Sequence, residues 1–379
     1  MKHPVYLDYA ATTPLDARVL ASMQPYLTAV YGNPSSLHCF GQAARRAVMR
    51  AREQTAALIG ASPAEVFFTS GGTESDNWAL RSLAEGRRKK GCRHIVTSAV
   101  EHPAVRETCH DLAAHGYTLT ELPVDAEGRI TLSDVEAALQ TDTALVSIMT
   151  ANNEVGTLQP IAEIGALLEE RGILFHTDAV QAAGHIPLDV EKLHVDALSL
   201  SAHKFCGPKG VGVLYVRHPA EMTPLLCGGA QERDLRAGTE NVAGIAGCGC
   251  AAEIARAEMG EEDAKLRAFT EQLRDDLSRI VGLRFYGASE ERLAGILNFG
   301  IRGAAQDALL IRLDLAGFAV SAGSACSAGA AHPSHVLRAM GCSSEEARTA
   351  IRVSLGRFTH EDDVKAFADA VCVIAAELN

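Results

Sequence analysis

No two of the ten cysteines are spaced as a CxxC pair; they stand at 39, 92, 109, 206, 227, 248, 250, 326, 342 and 372. Such scatter provides no disulfide framework and no paired-thiol metal motif, and it fits reduced thiols in the cytoplasm. The first residues, MKHPVYLDYAATTP, lack the apolar stretch of a secretion signal. No apolar run is long enough to span a bilayer, so no membrane partner is expected. Basic residues are in deficit, 35 against 47 acidic for a net charge of −12. That balance repels phosphate backbones and argues against nucleic acid as a main partner. One basic run, Arg87-Arg88-Lys89-Lys90, reads as a solvated helix end, where cations suit the dipole. Internal repeats and low-complexity tracts are also missing.

What remains is an ordinary globular composition, 47% hydrophobic and 22% charged, over 379 residues. That length exceeds one compact core and suggests a large domain with a smaller one. Short β-rich runs alternate with helical patterns through the first three quarters. The predicted strands are 66–69, 94–97, 145–149, 174–176, 197–200 and 211–216, with amphipathic stretches at 41–59, 131–140 and 160–171. This alternation predicts an α/β protein with a mainly parallel sheet covered by helices, whose ligand sits beyond the carboxyl ends of the strands. After about residue 250 a charged helical pattern over 252–281 precedes strand-like pieces at 283–286, 296–299 and 351–355, read as a smaller α/β domain. Cys248 and Cys250, in a Gly/Ala-rich segment, read as small packed residues.

Several motifs fall where such a sheet would open. Phe68-Thr69-Ser70-Gly71-Gly72-Thr73-Glu74 runs from a strand through two glycines into a helix start. This is either a plain strand–turn–helix or an anion cradle of free N–H groups. Asp178 ends a strand, as a helix cap or as a carboxylate held for a cation. Ser201-Ala202-His203-Lys204 follows another strand. A lysine in a dry cleft can form a Schiff base, although most loop lysines are merely exposed. Glu101-His102-Pro103 and Asn152-Asn153-Glu154 complete the rim, the first offering a histidine and the second side-chain amides. Phosphate donors, a carboxylate and an amine at one sheet edge are what pyridoxal phosphate requires.

These residues resemble the group I (NifS/IscS-like) cysteine desulfurases, a branch of the class V aminotransferase family. The resemblance runs nearly end to end, through YLDYAATTP (6–14), GNPSS (32–36), FTSGGTESDN (68–77), EHPAV (101–105), VSIMTANNEVG (146–156), HTDAVQAAG (176–184), SAHKFCGPKG (201–210), RAGTEN (236–241), SAGSACSAG (321–329), PSHVLRAMG (333–341) and IRVSLGRF (351–358). It implies the fold type I of pyridoxal-phosphate enzymes. The large domain would span 13–258, and the small one 1–12 with 259–379. It implies that Lys204 carries the cofactor covalently, Asp178 pairs with the ring nitrogen, Gln181 contacts the ring hydroxyl and His102 stacks on the ring. Gly72, Thr73, Ser201 and His203 would hold the phosphate, with Thr239 reaching it from the other subunit of a homodimer. Asn153 and Arg352 would bind the carboxylate of L-cysteine. Cys326 would take the sulfur as a persulfide, releasing L-alanine, and pass it to an iron–sulfur scaffold or sulfur-carrier protein. No resident metal is implied, only transient contact of Cys326 with an iron–sulfur centre. The small neighbours of Cys326 and the length of 327–333 resemble the mobile group I loop, on which the thiol would travel. Within the same family a transamination or a selenocysteine lyase reaction remains open at this point. So do a binding protein without cofactor chemistry and a cysteine-nucleophile hydrolase.

Overall fold

The computed structural model describes residues 4–323 and 333–378. A seven-stranded sheet has the order Val66–Thr69, Gly212–Val216, Ala197–Ser201, Leu174–Asp178, Thr143–Ser147, His94–Ser98, Thr118–Leu122. Its pairings are parallel except those of Gly212–Val216, which runs antiparallel to both neighbours. Helices cover both faces, so the inner strands are buried along their whole length and read as continuous apolar runs. The strand Thr118–Leu122 is the exception. It lies at the sheet edge, half exposed, and its sequence TLTEL offers no apolar run to find. The strand expected at 145–149 starts two residues earlier and ends at Ser147. Beyond it, Ile148 and Thr150 still donate backbone hydrogen bonds to His176 and Asp178, which extends the apolar pattern past the ladder.

A second sheet is antiparallel, ordered Ala350–Ser354, Ile296–Ile301, Leu283–Tyr286. It packs on helices Gln306–Leu315 and Glu361–Leu378 in a core of its own, with Leu297, Phe299, Leu309, Leu313, Phe367 and Val371. The helix Val242–Leu277 joins both cores. Its Ala252 and Ala255 belong to the first, its Leu266, Leu273 and Leu277 to the second. It begins ten residues before the charged pattern that predicted a helix from 252. Glycines disfavour a helix in isolation, but here they permit close packing. A Cβ on Gly249 would stand 2.4 Å from the Cα of Ala51, and one on Gly247 would stand 2.7 Å from Met23. Cys248 is fully buried in that contact, and Cys250 is partly buried. Among the described residues no helix is long and apolar enough to cross a membrane.

The carboxyl ends of the central strands gather the chemistry. Asp178 is the last residue of its strand, and Ser201 is the last of the next. The chain after Ser98 turns through Glu101 and His102 into helix Pro103–Ala114, with proline at the first helical position.

Candidate active site

One cavity of about 210 Å³ is lined by Gly72, Thr73, Asp76, His102, Asn153, Asp178, Gln181, Ser201, His203, Lys204 and Arg352. The structure therefore brings together the described residues to which the resemblance gave a role at the site, Thr239 excepted. Thr239 is exposed and lines a neighbouring cavity with Ser70, Gly210 and Arg236. Cys326 lies outside the described residues, and so does most of the segment expected to move.

The anion end is built by close backbone approach. A Cβ on Gly212 would come within 2.4–2.6 Å of the Gly71 backbone, and one on Gly72 would come 2.7 Å from Val180. Helix Gly72–Arg88 starts there without any side-chain cap, which leaves its first N–H groups for a ligand. Thr73, Ser201, His203 and Lys209 surround the same opening. Burial pushes His203 down to about 4, so its neutral ring shares a hydrogen bond with the Thr12 hydroxyl at 3.1 Å.

At the centre, Lys204 sits at the end of a single 3-10 turn after strand Ala197–Ser201. Its Nζ donates to the carbonyls of Ala10 at 2.5 Å and Ala11 at 3.0 Å. The Asp178 carboxylate accepts the Val180 N–H at 2.8 Å. Burial raises its pKa, and the neighbouring His102 and Lys204 oppose that rise. His102 caps its helix, with Nδ1 accepting the Ala104 N–H at 3.1 Å. That bond assigns the ring proton to Nε2, and burial lowers the ring's pKa. Cys206, beside Lys204, is a packed thiol, and burial pushes it up to about 11.

Behind Asp178 lies a layer that sequence reasoning missed. Asp76 is 1% exposed with Oδ1 unpartnered. Burial and the Asp178 charge push its pKa well up. His176 stands 3.6 Å away, yet burial lowers it to about 3. With its ring neutral, His176 forms no ion pair with Asp76. The ligand atoms of Asp76, His102 and Asp178 lie within 4.8 Å of one another. Burial raises the pKa of both carboxyls and so works against a metal ion, whose ligands must be deprotonated, while His102 and Lys204 favour the charged form of Asp178.

Glu101 is also fully buried. Its Oε1 accepts from the Ser98 hydroxyl at 2.6 Å and the Met149 N–H at 2.9 Å, and Oε2 has no partner. Burial raises its pKa from 4.5 to about 8, against those hydrogen bonds. The folded chain thus keeps a proton that the unfolded chain loses above about 4.5. Stability of the cofactor-free chain is expected to fall as pH rises from about 4.5 to about 8, with a contribution from Glu101 on the order of 5 kcal/mol. Glu101→Gln should shrink that fall, measured as melting temperature against pH. An unchanged slope would refute the assignment.

At the far end Arg352 is 1% exposed. Its Nη1 donates to Asn153 O at 2.7 Å, its Nη2 pairs with Asp8 Oδ1 at 2.9 Å, and its Nε has no partner. Of the two amides expected at the rim, only Asn153 lines the cavity. The Asn152 side chain is fully buried, donating to Val100 O and accepting the N–H groups of Glu154 and Val155, and thus shapes the turn. Glu154 is bonded to Ser334 on one side of residues 324–332 and lies close to Gly323 on the other. Its Oε2 accepts from the Ser334 hydroxyl at 2.5 Å, and a Cβ on Gly323 would stand 2.8 Å from it. Ser321 exchanges two backbone hydrogen bonds with Arg352 itself.

The N-terminal stretch 8–13 is the largest omission of the sequence reading, which quoted it without giving it a role. Besides holding Lys204 and Arg352, it accepts the Gln181 amide at Ala10 O, 2.9 Å, and the Cys206 N–H at the Thr13 hydroxyl, 2.9 Å. Much of this is done by backbone carbonyls, which carry no signal in a sequence.

The chain matches the family described as Aminotransferase class-V over residues 5–367. It is 48% identical over 372 residues to the cysteine desulfurase IscS of Dictyoglomus turgidum, covering 98% of this chain and 94% of that protein. Its fold is similar to that of a solved NifS-like protein, with TM-score 0.93 and 40% identity, over 99% of this chain and 100% of the other. It is also similar to SspA solved in complex with cysteine, with TM-score 0.82 and 38% identity, over 94% of this chain and 100% of the other.

Proposed function

The chain belongs to the class-V aminotransferase family, and from that membership we propose a pyridoxal-phosphate-dependent cysteine desulfurase that converts L-cysteine to L-alanine and leaves the sulfur on Cys326. One observation carries the reading. A single cavity places a lysine amine, a buried carboxylate, a histidine ring and an uncapped helix start around one space, with a buried arginine at its far end. These groups fit pyridoxal phosphate, which needs donors for its phosphate, a carboxylate for its ring nitrogen and an amine for its aldehyde.

Bound there, the cofactor supplies an electron sink for the substrate's Cα and Cβ. The chain's own residues do the rest. Gly72, Thr73, Ser201 and His203 would hold the phosphate, Asp178 would keep the ring nitrogen cationic, Gln181 would serve the ring hydroxyl and His102 the ring itself. Arg352 and Asn153 take the carboxylate of L-cysteine, which fixes Cα near Lys204. Lys204 would hold the cofactor's aldehyde, and its amine would move the proton at Cα, while His102 carries its proton on Nε2. The Cys326 thiolate attacks the substrate sulfur. The new S–S bond forms as the Cβ–S bond breaks, and the departing electron pair ends, with a proton, on the methyl group of L-alanine.

The outer sulfur then goes to a protein acceptor, an iron–sulfur scaffold or a sulfur carrier. A homodimer is part of the same proposal, with Thr239 of each copy reaching the phosphate of the other. Its exposure in the single chain supports that, as do the exposed apolar side chains Leu20, Leu27, Tyr31, Leu37, Phe40 and Met49. Nine free cysteines among the described residues fit a reducing compartment such as the cytoplasm. The domain division proposed is 13–258 against 1–12 with 259–379, the last including the cysteine segment.

Incubation with L-cysteine, followed by amino-acid analysis and mass spectrometry of the Cys326 peptide, tests this. Equal early amounts of L-alanine and of sulfur on Cys326 are expected. Formation of a keto acid, or of L-alanine with the sulfur on another residue, would reject the reading.

A further inference from the structure

A fully buried arginine needs a counter-charge before any ligand arrives. For Arg352 that charge is Asp8, 2.9 Å from Nη2. Asp8 cannot easily withdraw. The Tyr6 hydroxyl donates to its carbonyl at 2.9 Å, and the flanking Leu7 carbonyl and Tyr9 N–H both bond to the Ser354 backbone, at 2.8 and 3.2 Å. Asn153 O and Asp8 occupy two of the five guanidinium N–H groups. The unpartnered Nε and the remaining Nη protons are left for an anion in the cavity that Arg352 lines. A ligand carboxylate therefore arrives beside a carboxylate already in place.

We propose that Asp8 is a positioning residue that also tempers the carboxylate subsite. It holds the guanidinium plane and leaves Arg352 partly neutralised, so amino-acid carboxylates bind loosely enough to leave. The inference rests on the reading that Arg352 takes the substrate carboxylate. L-Cysteine and L-alanine share that group, so added affinity for one is added affinity for the other. Binding energy common to ground and transition states does not raise turnover, and a product held too firmly slows it.

Asp8→Asn keeps the shape and an oxygen for Nη2 but removes the charge. Two like charges about 6 Å apart in protein repel enough to shift an equilibrium about tenfold or more. By calorimetry on the holoenzyme, L-alanine is expected to bind Asp8→Asn about tenfold more tightly than it binds the parent. Ethylamine, which lacks the carboxylate, should bind both alike, and Asp8→Glu, which keeps the charge, should show no tightening. A merely structural role would alter both ligands together. If Asp8→Asn does not fold, Asp8→Ser gives the same comparison. Loss of L-alanine binding in Arg352→Gln, with no tightening in the neutral Asp8 variants, overturns this inference alone. Undiminished L-alanine binding in Arg352→Gln overturns the reading of Arg352 and this inference with it.

Discussion

Lys204→Ala is expected to abolish desulfuration of L-cysteine, by more than about 10³-fold, while the protein stays folded. The lysine sits at the end of a single turn whose backbone is held independently of the side chain, with His185 Nε2 3.0 Å from Lys204 O. Truncation removes Nζ from the carbonyls of Ala10 and Ala11, but Ala10 O keeps the Gln181 amide as a donor. The vacated space opens into the main cavity, so no sealed hole or stranded charge results. What disappears is the only amine that lines this cavity among the described residues. Absorbance after borohydride reduction and denaturation checks this. The parent should keep the reduced ring's near-ultraviolet absorbance on the polypeptide, and Lys204→Ala should lose it with an unchanged far-ultraviolet circular dichroism spectrum. That absorbance retained on the variant would move the attachment elsewhere, with Lys209 at the anion end the first place to look.

Asp178→Asn is expected to separate activity from stability. In the proposed reading its charge serves a cationic ring nitrogen, and replacing it with a neutral amide should lower kcat by roughly 10²–10³-fold, as for other preorganised charges. Without the cofactor the same charge is a liability. Burial raises the Asp178 pKa, and Asp178 in turn raises those of Asp76 and Glu101. A carboxyl with a raised folded pKa contributes stability at low pH that is lost as pH climbs through that value. The cofactor-free Asp178→Asn chain should therefore melt no lower than the parent at neutral pH, and its stability should decline less as pH rises. A variant that keeps full activity, or whose unloaded form melts well below the parent, would contradict this account. Such a trade between stability and function is common where a site gathers like charges.

The sequence pointed to much of this site because its chemistry sits at strand ends. Val66–Thr69, Leu174–Asp178 and Ala197–Ser201 are short apolar runs closed by Gly71-Gly72, Asp178 and His203-Lys204, and both signals are local. The edge strand Thr118–Leu122 escaped notice because a half-exposed strand has no apolar run. The first ten residues of helix Val242–Leu277 escaped because their glycines are justified only by neighbours such as Ala51 and Met23, distant in sequence.

By itself the sequence determined the alternating α/β order, the acidic balance and the residue types able to grip a phosphate, a ring and an amino acid. Those follow from periodicity and from functional groups, which belong to residues one at a time. Only the tertiary structure decided which of them share a space. It joined Asp8 to Arg352 across 344 positions and Lys204 to Ala10 across 194. It placed Asn153 on the cavity while committing Asn152 to its turn. It also buried Asp76 and Glu101, and burial raises the pKa of a carboxyl. Burial and long-range pairing are properties of the packed chain, and no single stretch of sequence contains them.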